Sequence, residues 1–147
     1  MDPLSSTLEI SSSALRAQRM RLDAIASNLA NANTTRTDAG GPYKRRDVVV
    51  VSQQIDSNFG STLAAMGEER VRQGVKVVDV VEDERPPRLV FQPGHPDAND
   101  DGYVAFPNVN PVTEMVDLLT ASRAYEANVQ VVNATKRMSE AALRIGE

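Results

Sequence analysis

The chain has no cysteine and no tryptophan in 147 residues, one histidine, and only three tyrosines and three phenylalanines. Without cysteine there is no disulfide framework, no thiolate metal site and no cysteine nucleophile. A core this poor in large rings must be built from Val, Leu, Ile and Ala, as helix seams are. The single His95 stands between Gly94 and Pro96, a turn setting that suits a surface or packing residue better than a catalytic base. Gly40-Gly41 lacks the spacing and the following Lys-Ser/Thr of a phosphate loop. No apolar run approaches the roughly 18 residues that span a bilayer, so no direct membrane insertion is expected. Sixteen basic against twenty acidic residues, a net charge of -4, leave no basic excess of the kind nucleic-acid binders carry. The start, Met1-Asp2-Pro3-Leu4, lacks the basic region and apolar core of a secretory signal. The chain is therefore expected to stay in the cytoplasm or to leave by a route that reads no cleaved signal. No cofactor, metal or catalytic set is implied, and the chain does not read as an enzyme.

What the chain does have is two long amphipathic ends. Leu8, Leu15, Leu22 and Leu29 recur every seven residues, with Leu4, Ser11, Gln18 and Ile25 as a second row four residues before each. This is a heptad seam, the spacing that keeps one face of a helix turned towards a partner. The spacing predicts a helix from about Ser6 to Asn31, with Ser6 and Glu9 as a capping box and Pro3 just outside. Asn28, Asn31 and Asn33 crowd its last turn, where Asn favours termination. They are expected to cap the helix or to bond across subunits. Roughly 26 residues would make a rod about 40 Å long. Burial of four Leu side chains would contribute about 6–12 kcal/mol before entropy is subtracted.

The second helix is predicted from Pro111 to about Gly146. Asn110 suits the cap and Pro111 the first helical position, where its missing N–H costs nothing. Glu114 and Asp117 lie near the positive end of the helix dipole, Lys136, Arg137 and Arg144 near the negative end. Met115, Leu118, Ser122, Tyr125, Val129, Val132, Lys136, Ser139 and Leu143 follow steps of three and four, and Leu119, Val131 and Ile145 widen that face. The two helices can pair within one molecule as an antiparallel hairpin, but the stripes are broader than one partner needs. Such a chain is expected to be an assembly part.

Between the helices the character changes. Residues 34–42 form a polar, turn-rich loop. Arg46–Val51, Gly74–Val81, Arg88–Phe91 and Gly102–Phe106 read as short strands, punctuated by Pro86-Pro87, Pro93-Gly94 and Asp101-Gly102. Gln53–Glu69 reads as a loop or a short helix. The expected fold class is α+β. Residues 1–33 and 110–147 form a coiled-coil layer, and residues 34–109 form a loop and a small β-rich module. Asp97-Ala98-Asn99-Asp100-Asp101-Gly102 fits the first half of a calcium loop. The second half fails, since the twelfth position is Asn108 and the flanks are strands, so a solvated turn is the preferred reading. A calcium-binding module and a soluble helical adaptor remain the alternatives.

Residues 13–34, SALRAQRMRLDAIASNLANANT, resemble the N-terminal signature of bacterial flagellar axial proteins, and residues 108–128, NVNPVTEMVDLLTASRAYEAN, resemble their C-terminal signature. Gly41-Pro42-Tyr43, His95-Pro96-Asp97 and Gly102-Tyr103-Val104 resemble motifs of the proximal rod members, and the length is similar to theirs. The resemblance implies a structural subunit of the periplasmic rod. Its terminal helices would join those of its own copies and of other rod proteins in the inner layer of a hollow, torque-transmitting tube. It implies contact with the inner-membrane ring and a rod-base adaptor. It also implies passage through the flagellar type III export apparatus, and terminal segments poorly ordered before assembly. The residues expected to carry assembly are Leu8, Leu15, Leu22, Ile25 and Leu29 on one helix, Asn28, Asn31 and Asn33 at its end, and Met115, Leu118, Leu119, Tyr125, Val129 and Val132 on the other.

Overall fold

The computed structural model describes residues 3–54 and 73–145. Helix α1 spans Pro3–Ala30. Strands β1 (Arg46–Gln54), β2 (Gln73–Glu82), β3 (Arg88–Phe91) and β4 (Tyr103–Phe106) follow, and helix α2 spans Pro111–Ile145. At about 1.5 Å per residue the two helices are rods of about 42 and 52 Å. No helix among the described residues is long and apolar enough to cross a membrane.

The start of α1 differs from the sequence expectation. Pro3 is the first helical residue rather than a flanking one, since its fixed φ suits that position and its missing N–H would have no intrahelical partner there. Ser6 therefore lies inside the helix, 2% exposed, and is not its cap. The end of α1 is close to expectation. The Asn31 side-chain amide donates back to the Ser27 carbonyl at 2.9 Å, and its oxygen accepts the Thr34 hydroxyl at 3.1 Å. The start of α2 is capped as expected: Asn110 Oδ1 accepts the Val112 N–H at 3.0 Å, and the Asn110 carbonyl accepts the Glu114 N–H at 3.0 Å. The reading of Gly146 as the close of α2 lies outside the described residues, as does most of Gln53–Glu69; Gln53 and Gln54 belong to β1.

The strands fall where β-branched runs predicted them, and they make two two-stranded sheets, β1–β2 and β3–β4. β3 and β4 are antiparallel, with Leu89 opposite Ala105, Val90 opposite Val104 and Phe91 opposite Tyr103. Alternation then sends Leu89, Phe91 and Tyr103 to one face and Val90 and Val104 to the other. Val104 is fully buried, whereas Leu89 and Phe91 are more than half exposed.

The chain divides into two compact units. Unit one comprises Met1–Met20, Val49–Asp79 and Ser122–Glu147. Here the Ser13 hydroxyl accepts the Val75 N–H at 3.1 Å, which ties β2 to α1. Val75 and Val77 are half-buried while Lys76 between them is exposed, the alternation read from the sequence. Unit two comprises Arg21–Val48 and Val80–Ala121. Its apolar centre is the contact cluster of Ala32, Tyr43 and Val109, with Ile25, Val48 and Ala121 also buried. Each unit thus takes a segment from both terminal helices.

Candidate functional site

The best-defined polar arrangement is in unit two, where the end of α1, the start of β1 and the first turn of α2 meet. Asn28 has no exposed surface. Its Nδ2 donates to the Arg46 carbonyl at 2.8 Å and to Glu114 Oε2 at 3.1 Å. Its Oδ1 accepts the Arg46 N–H at 2.8 Å and the Tyr43 hydroxyl at 3.0 Å. Both donors and both lone pairs of the amide are engaged, the full capacity of the side chain. Towards Arg46 the amide behaves as a strand neighbour would, closing both backbone groups at the start of β1. The Tyr43 hydroxyl also meets Ser27 Oγ at 3.2 Å.

Glu114 is 1% exposed. A buried carboxylate requires a charged or hydrogen-bonding partner. It has both, since Oε2 accepts from Asn28 and Oε1 accepts from Arg45 Nε at 2.7 Å. Arg45 also reaches Asp47 at 3.3 Å. Burial lowers the Arg45 pKa, but hydrogen bonds and charge from Glu114 and Asp47 outweigh it and hold the guanidinium above its ordinary value. The polar side chains of this node face one another or the backbone. The node is a clamp that sets where α2 leaves the β-rich segment relative to the end of α1.

The calcium-like motif is a turn. Asn99 Oδ1 accepts the N–H groups of Asp101 and Tyr103 at 3.2 and 2.7 Å. Asp97 accepts the Thr35 hydroxyl at 2.7 Å. Gly102 holds a φ of +80°, as the close of the turn requires. Among the described residues no three His, Asp or Glu side chains converge as metal ligands.

The helical faces divide in a way the periodicity did not resolve. On α1 the row read as half polar is the buried one. Ser11 and Ile25 are buried and Gln18 is half-buried, its Oε1 shielded and without a hydrogen-bond partner. The leucine row is less covered: Leu15, Leu22 and Leu29 are half-buried and Leu8 is exposed. On α2 the buried positions are Glu114, Ala121 and Thr135, spaced by seven and then fourteen residues, with half-buried Asn128 between the last two. Leu118, Tyr125, Val129 and Val132 are half-buried, while Met115 and Leu119 are 55% and 58% exposed, beside exposed Val112 and Val116. Of the asparagines, Asn28 is wholly engaged within the chain, Asn31 caps α1, and Asn33 is exposed. Sequence reasoning missed Arg45 and Tyr43, and it read Glu114 only as a dipole partner. The one local signal was a carboxylate in the first turn after Asn-Pro.

Among the described residues the best-defined buried polar cluster is a clamp, and both helices leave apolar side chains uncovered, features that suit a structural subunit. Two family models match the chain: one described as Flagella basal body rod protein over residues 8–36, the other as Flagellar basal body rod FlgEFG protein C-terminal over residues 100–145. These stretches contain the two signatures noted at residues 13–34 and 108–128. The flagellar basal-body rod protein FlgC of Bacillus subtilis is 46% identical, covering 96% of this chain and 97% of that one. FlgC of Borreliella burgdorferi is 41% identical with 97% of each chain covered, and FlgC of Salmonella typhimurium is 42% identical with 95% of each covered. The chain belongs to the FlgC family of flagellar basal-body rod proteins. It is a structural subunit of the proximal rod, located in the basal body after export, and not an enzyme. It assembles with other rod and basal-body proteins.

Proposed function

We propose that the chain polymerises through its terminal helices into a hollow, torque-transmitting shaft. Its partners there are its own copies, other rod proteins, the inner-membrane ring and a rod-base adaptor, reached after passage through the flagellar type III export apparatus. The carrying observation is the division of each helix into two faces. Small and polar residues (Ser11, Gln18, Ala121, Thr135) turn inward, while Leu8, Met115 and Leu119 remain exposed. Burying one such side chain against a neighbour contributes about 1.5–3 kcal/mol, and several per subunit suffice for a stable contact. The half-buried residues Leu15, Leu22, Leu29, Leu118, Tyr125, Val129 and Val132 extend the same faces. Ile25 supports them from behind, Asn31 shapes the helix end, and Asn33 is free to bond a neighbour. Asn28 acts from inside by holding the helix ends in place. Absence of cysteine suits a chain that crosses an export channel unfolded, since no disulfide can trap it.

The test is complementation of a strain lacking the gene, followed by electron microscopy of purified basal bodies. The unaltered chain should restore rod and hook. Leu119→Asp should not, although it leaves the fold of the free chain unchanged, because Leu119 is largely exposed before assembly. Normal rods with Leu119→Asp would remove this face from the interface. Normal rods in the deletion strain itself would refute the polymerising role.

A further inference from the structure

The β3–β4 hairpin carries an apolar face that its own unit leaves uncovered. Leu89, Phe91 and Tyr103 are 63%, 61% and 43% exposed. They are neighbours on one side of the ladder, and the rings of Phe91 and Tyr103 meet edge to face at 5.3 Å. Gly102 lies against the Phe91 ring; a Cβ there would come within 2.9 Å of it. The ring is therefore supported from behind, and the face is a built knob. Three large apolar side chains on one face are more than the scattered exposure usual on a surface. The turn beside them, residues 92–102, contains Asp97, Asp100 and Asp101 and no Lys or Arg.

The complementary feature lies in unit one. A groove of about 600 Å³ runs between α1 and β2, lined by apolar Ala17, Met20, Val75 and Val77 and about equally by polar groups, among them Glu9, Arg16 and Lys76. Residues 10–22 of α1 contain Arg16, Arg19 and Arg21 and no Asp or Glu. Arg16 and Arg19 are exposed, and Met20, 41% exposed, lies beside them at the lip of the groove. An apolar knob with an acidic border thus meets a groove that carries an apolar strip and two cations, Arg16 and Lys76, against one carboxylate, Glu9. Thioether–aromatic contact favours Met20 against a ring, and opposite charges around an apolar centre steer and orient docking.

We propose that the hairpin of one subunit seats Leu89 and Phe91 in the α1–β2 groove of a second copy, with Asp100 and Asp101 facing Arg16 and Arg19. Knob and groove are different surfaces of the same chain. The contact is therefore heterologous and repeats from copy to copy without using itself up, the geometry that builds open helical arrays. This rests on the polymerising reading above and names a contact outside the exposed helix faces used there.

The absence of native cysteine allows a clean test. The chain carrying Asp100→Cys and Arg19→Cys is expressed in the deletion strain, basal bodies are purified, and a short bismaleimide is added. The two single-cysteine chains serve as controls. Incorporation is scored first, by immunoblot of the basal bodies. Absence of the unaltered chain, run alongside, would overturn the rod reading and this contact with it. With the chain present, covalent dimers and higher multimers should appear only with both cysteines. Monomer alone in normal rods would overturn the hairpin contact and leave the polymerising reading intact. A second measurement uses charge exchange. Arg16→Asp with Arg19→Asp should reduce the swimming halo to that of the deletion strain, and adding Asp100→Arg with Asp101→Arg should restore it. Full motility of the first variant, or no rescue by the second, would overturn the contact.

Discussion

At the scale of single residues, Asn28 shows how one buried amide organises its surroundings. It closes both backbone groups of Arg46 and links Tyr43 to Glu114. Asn28→Ala removes four hydrogen bonds and leaves buried groups without partners, at a cost of about 3 kcal/mol. Urea denaturation of the mutant should show a lower midpoint with an unchanged slope. Gly102 is a second sensitive position. Its φ of +80° and the nearby Phe91 ring both oppose a side chain, so Gly102→Ala should destabilise by about 1–2 kcal/mol and displace the Phe91 ring, visible as shifted aromatic resonances. Asp83 gives a titration test. Hydrogen bonds from the Arg85 side chain and backbone N–H lower its pKa from 3.8 to about 2. Because the folded value lies below the unfolded one, the contribution of this group to stability is present above about pH 3.8 and fades as pH falls towards 2. Carboxyl chemical shifts should follow that midpoint, and Arg85→Ala should return it towards the ordinary range.

At the scale of elements, the Arg45–Glu114 pair joins the start of α2 to the chain leading into β1. Removing one partner of a buried pair strands the other. Arg45 is 21% exposed, so water softens the loss. Glu114→Ala is expected to cost about 2–3 kcal/mol, read as a lower melting temperature. The same variant should loosen the joint between α1 and α2, seen as faster proteolysis near residues 108–114. On α1, Leu22 lies in the leucine row and is half-buried. Leu22→Asp would desolvate a charge once that face is packed, and is expected to block incorporation into basal bodies. The seven-residue spacing of this row was legible from the sequence. Its division of labour was not, because Ser11, Gln18 and Ile25 repeat with the same period. Period alone places two rows on a helix; it does not say which row turns to the chain's own interior.

At the scale of the whole molecule, two helices of 28 and 35 residues flank a small β-rich segment. Isolated helices owe most of their stability to packing of an apolar face. The free chain at micromolar concentration is therefore expected to show less helix by circular dichroism than α1 and α2 together contain, with the signal rising on polymerisation. Full helicity in the free chain would contradict ordering on incorporation. The strands obey the same limit. A two-stranded sheet is marginal alone, and here each is completed by something else: β2 by its bond to Ser13 of α1, β3–β4 by the buried side of Val104.

Taken by itself, the sequence determined the class of fold, the approximate spans of both helices and of the four described strands, the Asn110 cap, the turn at Asp97–Gly102 and the kinship with rod proteins. These follow from local spacing, turn chemistry and contiguous signatures, which need no knowledge of what lies opposite. The tertiary structure alone decided that α1 starts at Pro3 with Ser6 buried, and that Asn28 works inside the chain. It also decided that Glu114 pairs with Arg45 69 residues away, and that the hairpin leaves Phe91 facing out. Each of these depends on which groups meet across long stretches of chain. Burial and hydrogen-bond satisfaction are properties of the pair that meets, and neither member's neighbours in sequence carry that information.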